Sequence, residues 1–417
     1  MASDTTSLGP KPEPKPEPRP ELGEREMIVL MALLMSLQAF GIDAMLPALG
    51  QMASEMGAEG NNRQFVIGAY FLGSGIGAFF PGAFADRFGR RPVLAIGLIA
   101  YVVLSLACAL VTDYTLLLIL RLVQGLACAG LSVVPAAIVR DRVGGDRMAK
   151  LMSLIMMIFL LVPILAPAVG QGIMYVAGWR AIFVAMALMG VGVAIWTWMR
   201  LPETLQDENR QEIDPLTILR NMGSAVGDRG AIGYVVGSAL VFGSLFGFLN
   251  SSQQLISETF AMGDYFAVIF GGAVIGMVLA NFTNSRIVEK FGARRVSHSA
   301  LLVFILVSVL QLWSANQAEQ PLYQFIVLMS MSMACLGFVG ANFSSIAMQP
   351  FFHIAGAASS AQTALRMSTG AVLGAVIGML FDGTAKPLAV SMLSCALLAL
   401  AVVLFSERGK LFGRRQV

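Results

Sequence analysis

Residues 82–91 read Gly-Ala-Phe-Ala-Asp-Arg-Phe-Gly-Arg-Arg, a short charged stretch between two long apolar runs, 64–85 and 92–111. Each run is long enough to cross the hydrocarbon core of a bilayer, which takes about 20 residues of helix. The stretch therefore predicts a tight loop at a membrane face. Short loops rich in Lys and Arg stay in the cytoplasm during insertion, so its three arginines predict the orientation of both neighbouring helices.

The same pattern recurs 203 residues later in the chain. Residues 285–295 repeat the order of a small residue, an acid, a base, Phe, Gly and a basic pair, with Glu289 in register with Asp86. Two halves related by such a shift indicate a duplicated membrane bundle. This is the usual architecture of secondary transporters, whose site lies at the interface of the halves.

The first stretch resembles motif A, the G-x-L-x-D-R-x-G-R-K signature of the major facilitator superfamily of membrane transporters. Phe84 stands where Leu is usual. The resemblance implies that this loop takes part in gating. The motif residues in this chain are Gly82, Asp86, Arg87, Gly89, Arg90 and Arg91.

The composition is that of an integral membrane protein. Of the 417 residues, 57% are hydrophobic and 13% charged, whereas about a quarter of the residues in a soluble domain are charged. The net charge of +3 is small and its cations lie in loops, so nucleic acid is not an expected partner. All four cysteines lie inside apolar runs and the two histidines are far apart, so we expect no disulfide, metal site or cofactor.

Twelve apolar runs predict an all-α membrane protein with twelve transmembrane helices. An even number places both termini on one side, and the Lys and Arg excess on one set of loops makes that side the cytoplasm. The resemblance implies the major facilitator fold, two six-helix bundles, in a bacterial inner membrane. We number the spans 1 to 12: 27–48, 64–85, 92–112, 115–139, 151–176, 181–200, 230–252, 265–287, 297–315, 322–348, 361–380 and 387–406.

These spans divide the chain into five regions. The opening of the linker, Leu-Pro-Glu-Thr-Leu at 201–205, resembles a segment that often follows span 6 in the bicyclomycin/chloramphenicol-resistance (Bcr/CflA) subfamily of drug/proton antiporters. The regions are a disordered Pro-, Glu- and Lys-rich cytoplasmic tail (1–26), an N-terminal six-helix bundle (27–200), a cytoplasmic linker (201–229), a C-terminal six-helix bundle (230–406) and a basic cytoplasmic tail (407–417).

Asp43 is an acid inside span 1, where a charge costs several kcal/mol unless it is paired or hydrated. Its surroundings, Asp-Ala-Met-Leu-Pro-Ala-Leu, resemble the D-M-Y-L-P-A-L stretch of the Bcr/CflA group, with Met45 in place of Tyr. We predict proton coupling for Asp43 and a place in the substrate cavity for Met45. The alternative is that Asp43 only hydrates the end of the helix.

Arg121 in span 4 opens the sequence Arg-Leu-Val-Gln-Gly, which resembles the R-x-x-Q-G of motif B. The resemblance implies proton coupling for Arg121, and Gln124 and Gly125 share its helical face. We expect its guanidinium to reach the carboxylate of Asp43, with Gly125 letting the helices close. The alternative is a buried arginine that hydrogen bonds to backbone carbonyls.

Span 5 resembles motif C, the G-P-x-x-G-G signature associated with antiporters. Pro163, Pro167 and Gly170 lie on one face of the helix. Ala166 and Gln171 replace two of the motif's glycines. The resemblance therefore favours antiport.

Span 7 carries an aromatic and amide face, formed by Phe246, Asn250 and Gln253, and Asn342 in span 10 adds another amide. Such a face suits an amphipathic organic substrate, because rings supply contact area and amides supply orientation. The alternative is that these groups only make hydrogen bonds between helices.

The start of span 11 is placed near residue 361. Arg366 then lies in the first turns of the helix, and Arg121 is the one cation expected inside the bundle. The family resemblance places Asp86 against this helix start, at Ser359–Gln362, where the contact would close the cytoplasmic side.

The leading hypothesis is a drug/H+ antiporter that exports small amphipathic compounds by alternating access. Its partners are the substrate, protons and the lipid bilayer, and we expect a monomer. One alternative is a major facilitator carrier for a specific small metabolite. Another is a membrane receptor or enzyme without transport. An enzyme is disfavoured because Asp43 has no second embedded carboxylate or histidine beside it.

Overall fold

A computed structural model describes residues 22–412 apart from 59, 144, 207, 209 and 211–228. Side chains are described for these residues except 145, 146, 149, 229 and 352–357. Most of the predicted N-terminal tail, most of the linker and the last five residues of the C-terminal tail lie outside the described part of the chain.

In the first half, four of the six predicted spans are broken, so ten helices form them. Prolines stand at three breaks, since proline clashes with the preceding turn of a helix. Pro47 opens a short 3-10 turn in span 1, Pro81 follows the 47° bend in span 2 and Pro163 restarts span 5. The helices are Glu24–Asp43 and Leu49–Glu55, Phe65–Gly77 and Pro81–Phe88, Arg90–Leu110, Tyr114–Cys128 and Gly130–Arg142, Gly145–Phe159 and Val162–Ala177, and Arg180–Arg200.

In the second half, each predicted span is one long helix. Span 7 continues into a π-helical turn, Leu255–Thr259. Across the described residues, ten helical stretches are long and apolar enough to cross a membrane, and the bent pair of span 2 makes an eleventh. The 25-residue helix of span 11 completes the twelve. The six helices are Arg229–Gln254, Phe266–Phe291, Ala293–Ala315, Leu322–Met348, Ala355–Met379 and Lys386–Ser406.

The predicted start of span 11 was wrong. The helix begins at Ala355, so Arg366 lies about three turns inside it. The first turns consist of Ala, Gly, Ser and Gln, which hid them from a search for apolar runs. Arg366 is therefore a second cation within a span.

Glycines bring neighbouring helices into backbone contact. A Cβ built on Gly73 in span 2 would lie 2.0 Å from the carbonyl oxygen of Leu122 in span 4. In the second half, Gly276 in span 8 faces the carbonyl of Ser330 in span 10 at the same distance. Gly276 comes 203 residues after Gly73, which is the shift of the sequence repeat. The two halves therefore share an equivalent packing contact, between spans 2 and 4 and between spans 8 and 10. Small residues serve this purpose in membrane bundles.

We call the end of the molecule that carries the loops 82–91 and 285–295 the basic end, and the other the opposite end. The halves meet towards the opposite end. There span 2 packs on span 11, span 5 on span 8, and the end of span 1 on span 7. The second helix of span 2, which leads to the basic end, packs against spans 3 and 4 of its own half. We call the contact between the halves the seam.

Gly125 generates a prediction about packing. A Cβ on Gly125 would lie 2.1 Å from the carbonyl oxygen of Tyr70, whereas one on Gly172 would meet no atom within 4 Å. Both glycines lie inside helices, so each gains about 1 kcal/mol of helix propensity on change to alanine. We expect Gly125→Ala to lower the thermal unfolding midpoint of the purified protein, because overpacking costs roughly 1–3 kcal/mol. Gly172→Ala is the matched control, and equal midpoints would contradict the contact.

Candidate functional site

The first helix of span 1 ends at Asp43, four residues before Pro47. The carbonyls of a last helical turn lack partners within their own helix and carry partial negative charge. The last turn of this helix contains no basic residue. A cation from elsewhere is therefore favourable at this point.

Arg121 supplies that cation from span 4. Its Nη2 donates to the carbonyl oxygen of Gly41 at 2.8 Å, and its Nη1 donates to Oε1 of Gln124 at 2.8 Å. Its Nε donates to the carbonyl of Val66 in span 2 at 3.4 Å. The guanidinium carbon lies 4.3 Å from the ring centre of Tyr70, and the side chain is fully buried. Arg121 thus ties spans 1, 2 and 4 together.

The expected ion pair between Asp43 and Arg121 is not formed in this conformation. Arg121 binds backbone carbonyls instead, which was the alternative for this residue. Asp43 is 5% exposed and makes no hydrogen bond or ion pair with any described residue. It is therefore an enclosed acid two residues from the carbonyl that Arg121 holds. Their pairing stays a prediction for another conformation.

Gly170 holds the other side of the same turn. A Cβ built on it would lie 2.0 Å from the carbonyl oxygen of Ala44, so spans 5 and 1 touch through their backbones. Pro163 lies in the first turn of this helix of span 5 and Pro167 inside it. The structure therefore brings the motif B arginine and the motif C glycine to either side of Asp43.

The other two motif B residues act on different neighbours. Gln124 accepts from Arg121 and donates its Nε2 to Oγ of Ser105 in span 3 at 2.9 Å. Gly125 closes span 4 onto span 2, at Tyr70. Gly125 thus lets helices close, as expected, and the helix that packs on it is span 2.

The seam is closed by amide side chains. Gln171 of span 5 donates to the carbonyl oxygens of Gly263 and Asp264 at 3.0 and 2.9 Å and accepts from the backbone N–H of Ala267 at 2.9 Å. It thus caps the start of span 8 from the other half. In the sequence, Gln171 stood out only because it replaces a glycine of motif C. In the structure, this glutamine forms the contact with the start of span 8.

A second set of seam contacts joins the end of span 1 and the start of span 2 to span 7. Arg63 forms an ion pair with Glu258 at 2.6 Å and donates to Oε1 of Gln253 at 3.0 Å. Gln254 donates to Oδ1 of Asn61 at 2.6 Å. The assignment of Gln253 to the substrate cavity is not supported in this conformation, because its amide lies in the closed seam.

The four other residues assigned to the substrate cavity are also enclosed. Met45 is fully buried, and Phe246 stacks on Phe71 of the other half with ring centres 3.7 Å apart. Asn250 donates to the carbonyl of Phe246 at 3.0 Å. Asn342 donates to Oδ1 of Asn284 at 2.7 Å, so it joins spans 10 and 8. In this conformation these residues pack and bond, and their contact with substrate stays a prediction for a conformation in which the seam is open.

The motif A loop forms a network of charges with span 4. Arg90 pairs with Asp86 at 2.5 Å and with Asp141 at 2.8 Å. Arg91 donates to the carbonyl of Trp198 at 2.7 Å and its guanidinium lies over the Trp198 ring. Gly82 has open space where a Cβ would stand, and Arg87 is exposed.

Asp86 does not bind the start of span 11 here. Its hydrogen-bonding partner is Arg90 of its own loop. The contact with Ser359–Gln362 was expected to close the basic end, and in this structure the halves meet towards the opposite end instead. That contact stays a prediction for the conformation closed at the basic end.

Glu203 completes the motif A network, and sequence reasoning missed it. Its carboxylate accepts from the backbone N–H groups of Arg90 and Arg91 at 2.9 and 3.0 Å. A carboxylate at a helix N-terminus is favoured by the orphan N–H groups and the dipole of the helix. Gly89 makes room for it, with φ of +103° and no Cβ to meet Glu203. Glu203 lies in the Leu-Pro-Glu-Thr-Leu stretch. Its sequence pattern marks the start of the linker but does not indicate a role for the acid.

Arg366 in span 11 is a further residue that the sequence assigned wrongly. Its guanidinium carbon lies 4.2 Å from the ring centre of Phe242 in span 7. Its Nη1 donates to Oγ of Ser344 in span 10 at 3.4 Å, and its buried Nε has no acceptor among the described residues. The second half therefore contributes a cation from within a span.

Comparison with known proteins gives one family. The profile described as Major Facilitator Superfamily matches residues 31–375. The bicyclomycin resistance protein homolog of Haemophilus influenzae is 29% identical over 91% of this chain and 95% of its own length. Multidrug resistance protein MdtL of Escherichia coli K12 is 28% identical over 89% of this chain and 93% of its own length. The xylose transporter XylE of E. coli, in a partially occluded inward open conformation, superposes with a TM-score of 0.69 at 16% identity, covering 92% of this chain and 97% of that one.

Gln171 generates a prediction about the seam. Gln171→Leu keeps the side-chain size and removes the three hydrogen bonds to residues 263–267. We expect it to separate the ends of spans 5 and 8 in part of the population, because each hydrogen bond contributes roughly 0.5–1.5 kcal/mol. Spin labels on the exposed Val176 and Val268 would report this as a longer distance population.

Gln51→Leu is the control for that experiment. Gln51 donates to Glu55 within its own helix at 2.9 Å, so its loss should leave the label distance unchanged. An unchanged distance in Gln171→Leu as well would show that Gln171 does not hold the seam.

Proposed function

Because this chain belongs to the major facilitator superfamily, a family of membrane transporters, we propose that it is a proton-coupled antiporter that exports small amphipathic compounds. Relatives named as a bicyclomycin resistance protein homolog and as multidrug resistance proteins, aligned over most of the chain, support drug export. Those relatives are bacterial, which supports an inner-membrane location.

The basic end faces the cytoplasm in this proposal. The arginines of the loop at 82–91 and the basic residues of 285–295 support this orientation, since such loops are retained inside. Both termini are then cytoplasmic. The seam closes the periplasmic side, and the structure is a conformation from which substrate enters from the cytoplasm. Export requires the seam to open and the basic end to close.

The observation that carries proton coupling is the enclosed, unpaired carboxyl group of Asp43. A carboxyl group removed from water binds a proton more readily, and a nearby guanidinium opposes this. Asp43 lies between the carbonyl of Gly41, which Arg121 holds, and that of Ala44, which Gly170 touches. We propose that this turn moves when the seam opens, which changes the distance from Asp43 to Arg121 and so its protonation.

In this cycle, Asp43 carries the proton that exchanges for substrate. Protonation of Asp43 from the periplasm, with the seam open, accompanies the release of substrate. Return to the present conformation then delivers the proton to the cytoplasmic side. Arg121 anchors the turn during the change, because its contacts reach spans 1, 2 and 4 at once.

The motif A network is the gate of the cytoplasmic side in this proposal. Arg90 now holds Asp86 and Asp141 within the first half. When the basic end closes, Asp86 would exchange this partner for the start of span 11. A carboxylate gains on the order of 0.3–1 kcal/mol at the N-terminus of a helix, more when partly buried.

Asp43→Asn tests the proposed function. The change keeps the size of the side chain and removes the titrating group. In inside-out membrane vesicles with an imposed pH gradient, we expect drug accumulation by Asp43→Asn to fall at least about tenfold, because the proton cannot bind. Accumulation is measured with a fluorescent amphipathic drug at matched expression levels.

Asp113→Asn is the matched control at the opposite end. Asp113 is exposed and caps its helix by accepting from the backbone N–H of Leu116 at 2.7 Å. Its variant should retain gradient-driven accumulation. Wild-type accumulation by Asp43→Asn, or its loss in Asp113→Asn alone, would place the coupling acid elsewhere.

A further inference from the structure

Arg366 is a cation inside a span for which the described residues supply no counter-ion. Its side chain is half-buried, and no carboxylate among the described residues pairs with it. Among the described residues its polar contacts amount to one long hydrogen bond, to Ser344 at 3.4 Å, and its buried Nε lacks an acceptor there. Keeping an unpaired charge within the membrane is costly, so such residues mark substrate or ion pathways.

The contrast with Arg121 shows that Arg366 is not a structural anchor of the same kind. Arg121 is fully buried and its guanidinium bonds to two backbone carbonyls and a glutamine. In the described part of the chain, the guanidinium of Arg366 contacts the hydroxyl of Ser344 and the face of Phe242. A guanidinium can donate five hydrogen bonds. Most of the donors of Arg366 are therefore available to a further group.

Arg366 lies on the side of span 11 that faces spans 7 and 10 of its own half. One turn further along the helix, Gly370 packs on Phe246, whose ring stacks on Phe71 of the first half. Ser368 packs against Gly75, also of the first half. Arg366 comes one turn closer to the basic end than this seam. It therefore lies at the edge of the seam, on the side of the basic end.

We propose that Arg366 is the binding site for an anionic group, such as a carboxylate or a sulfonate, on an amphipathic substrate. This inference rests on the proposed function, since it names the substrate class of that transport site. The planar guanidinium fork matches a carboxylate with two parallel hydrogen bonds. Phe242 presents its face to the guanidinium at 4.2 Å and so helps to hold it in place.

The class of substrate follows from the surroundings of the cation. Apolar and aromatic side chains of spans 7 and 11, with Phe242 against the guanidinium of Arg366, suit the apolar body of the molecule. The acid Asp43 belongs to the other half, and no ion pair joins it to Arg366 among the described residues. Compounds with an apolar body and one acidic group are thus expected to bind more tightly than neutral analogues in this conformation.

The test is a binding series on one aromatic scaffold that carries a carboxylate, a carboxamide or a primary amine. Dissociation constants are measured for the purified full-length protein in nanodiscs of zwitterionic lipid, without a pH gradient. We expect the wild type to prefer the carboxylate over the carboxamide by about tenfold or more, as for a charge-assisted hydrogen bond. Arg366→Gln should remove this preference and leave carboxamide binding unchanged, and Arg366→Lys should retain part of it.

Arg286→Gln is the matched control. Arg286 also stacks on a ring, that of Phe282 at 4.3 Å, but it is exposed at the basic end. Its variant should keep the preference for the carboxylate. Equal weakening of all three compounds in Arg366→Gln, no preference in the wild type, or no binding at all would overturn the inference.

Two further experiments are needed. One distinguishes failure of the anion site from failure of the proposed function, and the other distinguishes substrate from a lipid headgroup as the ligand of Arg366. Gradient-driven transport of the carboxamide without a carboxylate preference would overturn the anion site and leave the antiporter proposal intact. A preference for the carboxylate without gradient-driven transport would support the anion site and contradict the antiporter proposal. Displacement of the carboxylate by anionic phospholipid added to the nanodiscs would show that a lipid headgroup, and not substrate, occupies Arg366.

Discussion

The hydrogen bond from Arg121 to the carbonyl of Gly41 is the interaction on which the candidate site depends. Span 1 breaks before Pro47, and in its last turn the carbonyls of Phe40 and Ile42 accept from backbone N–H groups, whereas that of Gly41 accepts from Arg121. Arg121 provides the missing donor and the positive charge that a helix C-terminus favours. Because its other donors reach Gln124 and Val66, the position of the turn that carries Asp43 is linked to spans 2 and 4.

The two kinds of contact in the molecule differ in how readily they separate. Within each half, glycines put backbone against backbone, as at Gly73 and Gly276, and such packing tolerates no added atom. Between the halves, the polar contacts of the seam include amides such as Gln171 and the ion pair of Arg63 with Glu258. Each of these bonds contributes on the order of 0.5–1.5 kcal/mol and is replaced by water when the seam opens. Rigid halves joined by an exchangeable seam suit alternating access.

Much of this architecture could be predicted from sequence, because long apolar runs and a repeat at 203 residues are local signals. The misses have physical causes. Arg366 was placed near a helix end, since small and polar residues open span 11. Glu203 caps a helix more than 100 residues away in sequence, and no local pattern reports such a partner. The spacing of Gln253 indicated which face of span 7 it lies on. It did not indicate how far along the helix the seam lies, and Gln253 lies at the level of the seam.

The most direct test of the account is the release of protons from the purified protein when substrate binds. If Asp43 exchanges a proton for substrate, adding a transported compound to wild-type protein in weakly buffered detergent solution should release protons into the medium. The same addition to Asp43→Asn should release none, although the compound still binds. Undiminished proton release from Asp43→Asn would contradict the central claim that Asp43 couples proton movement to transport.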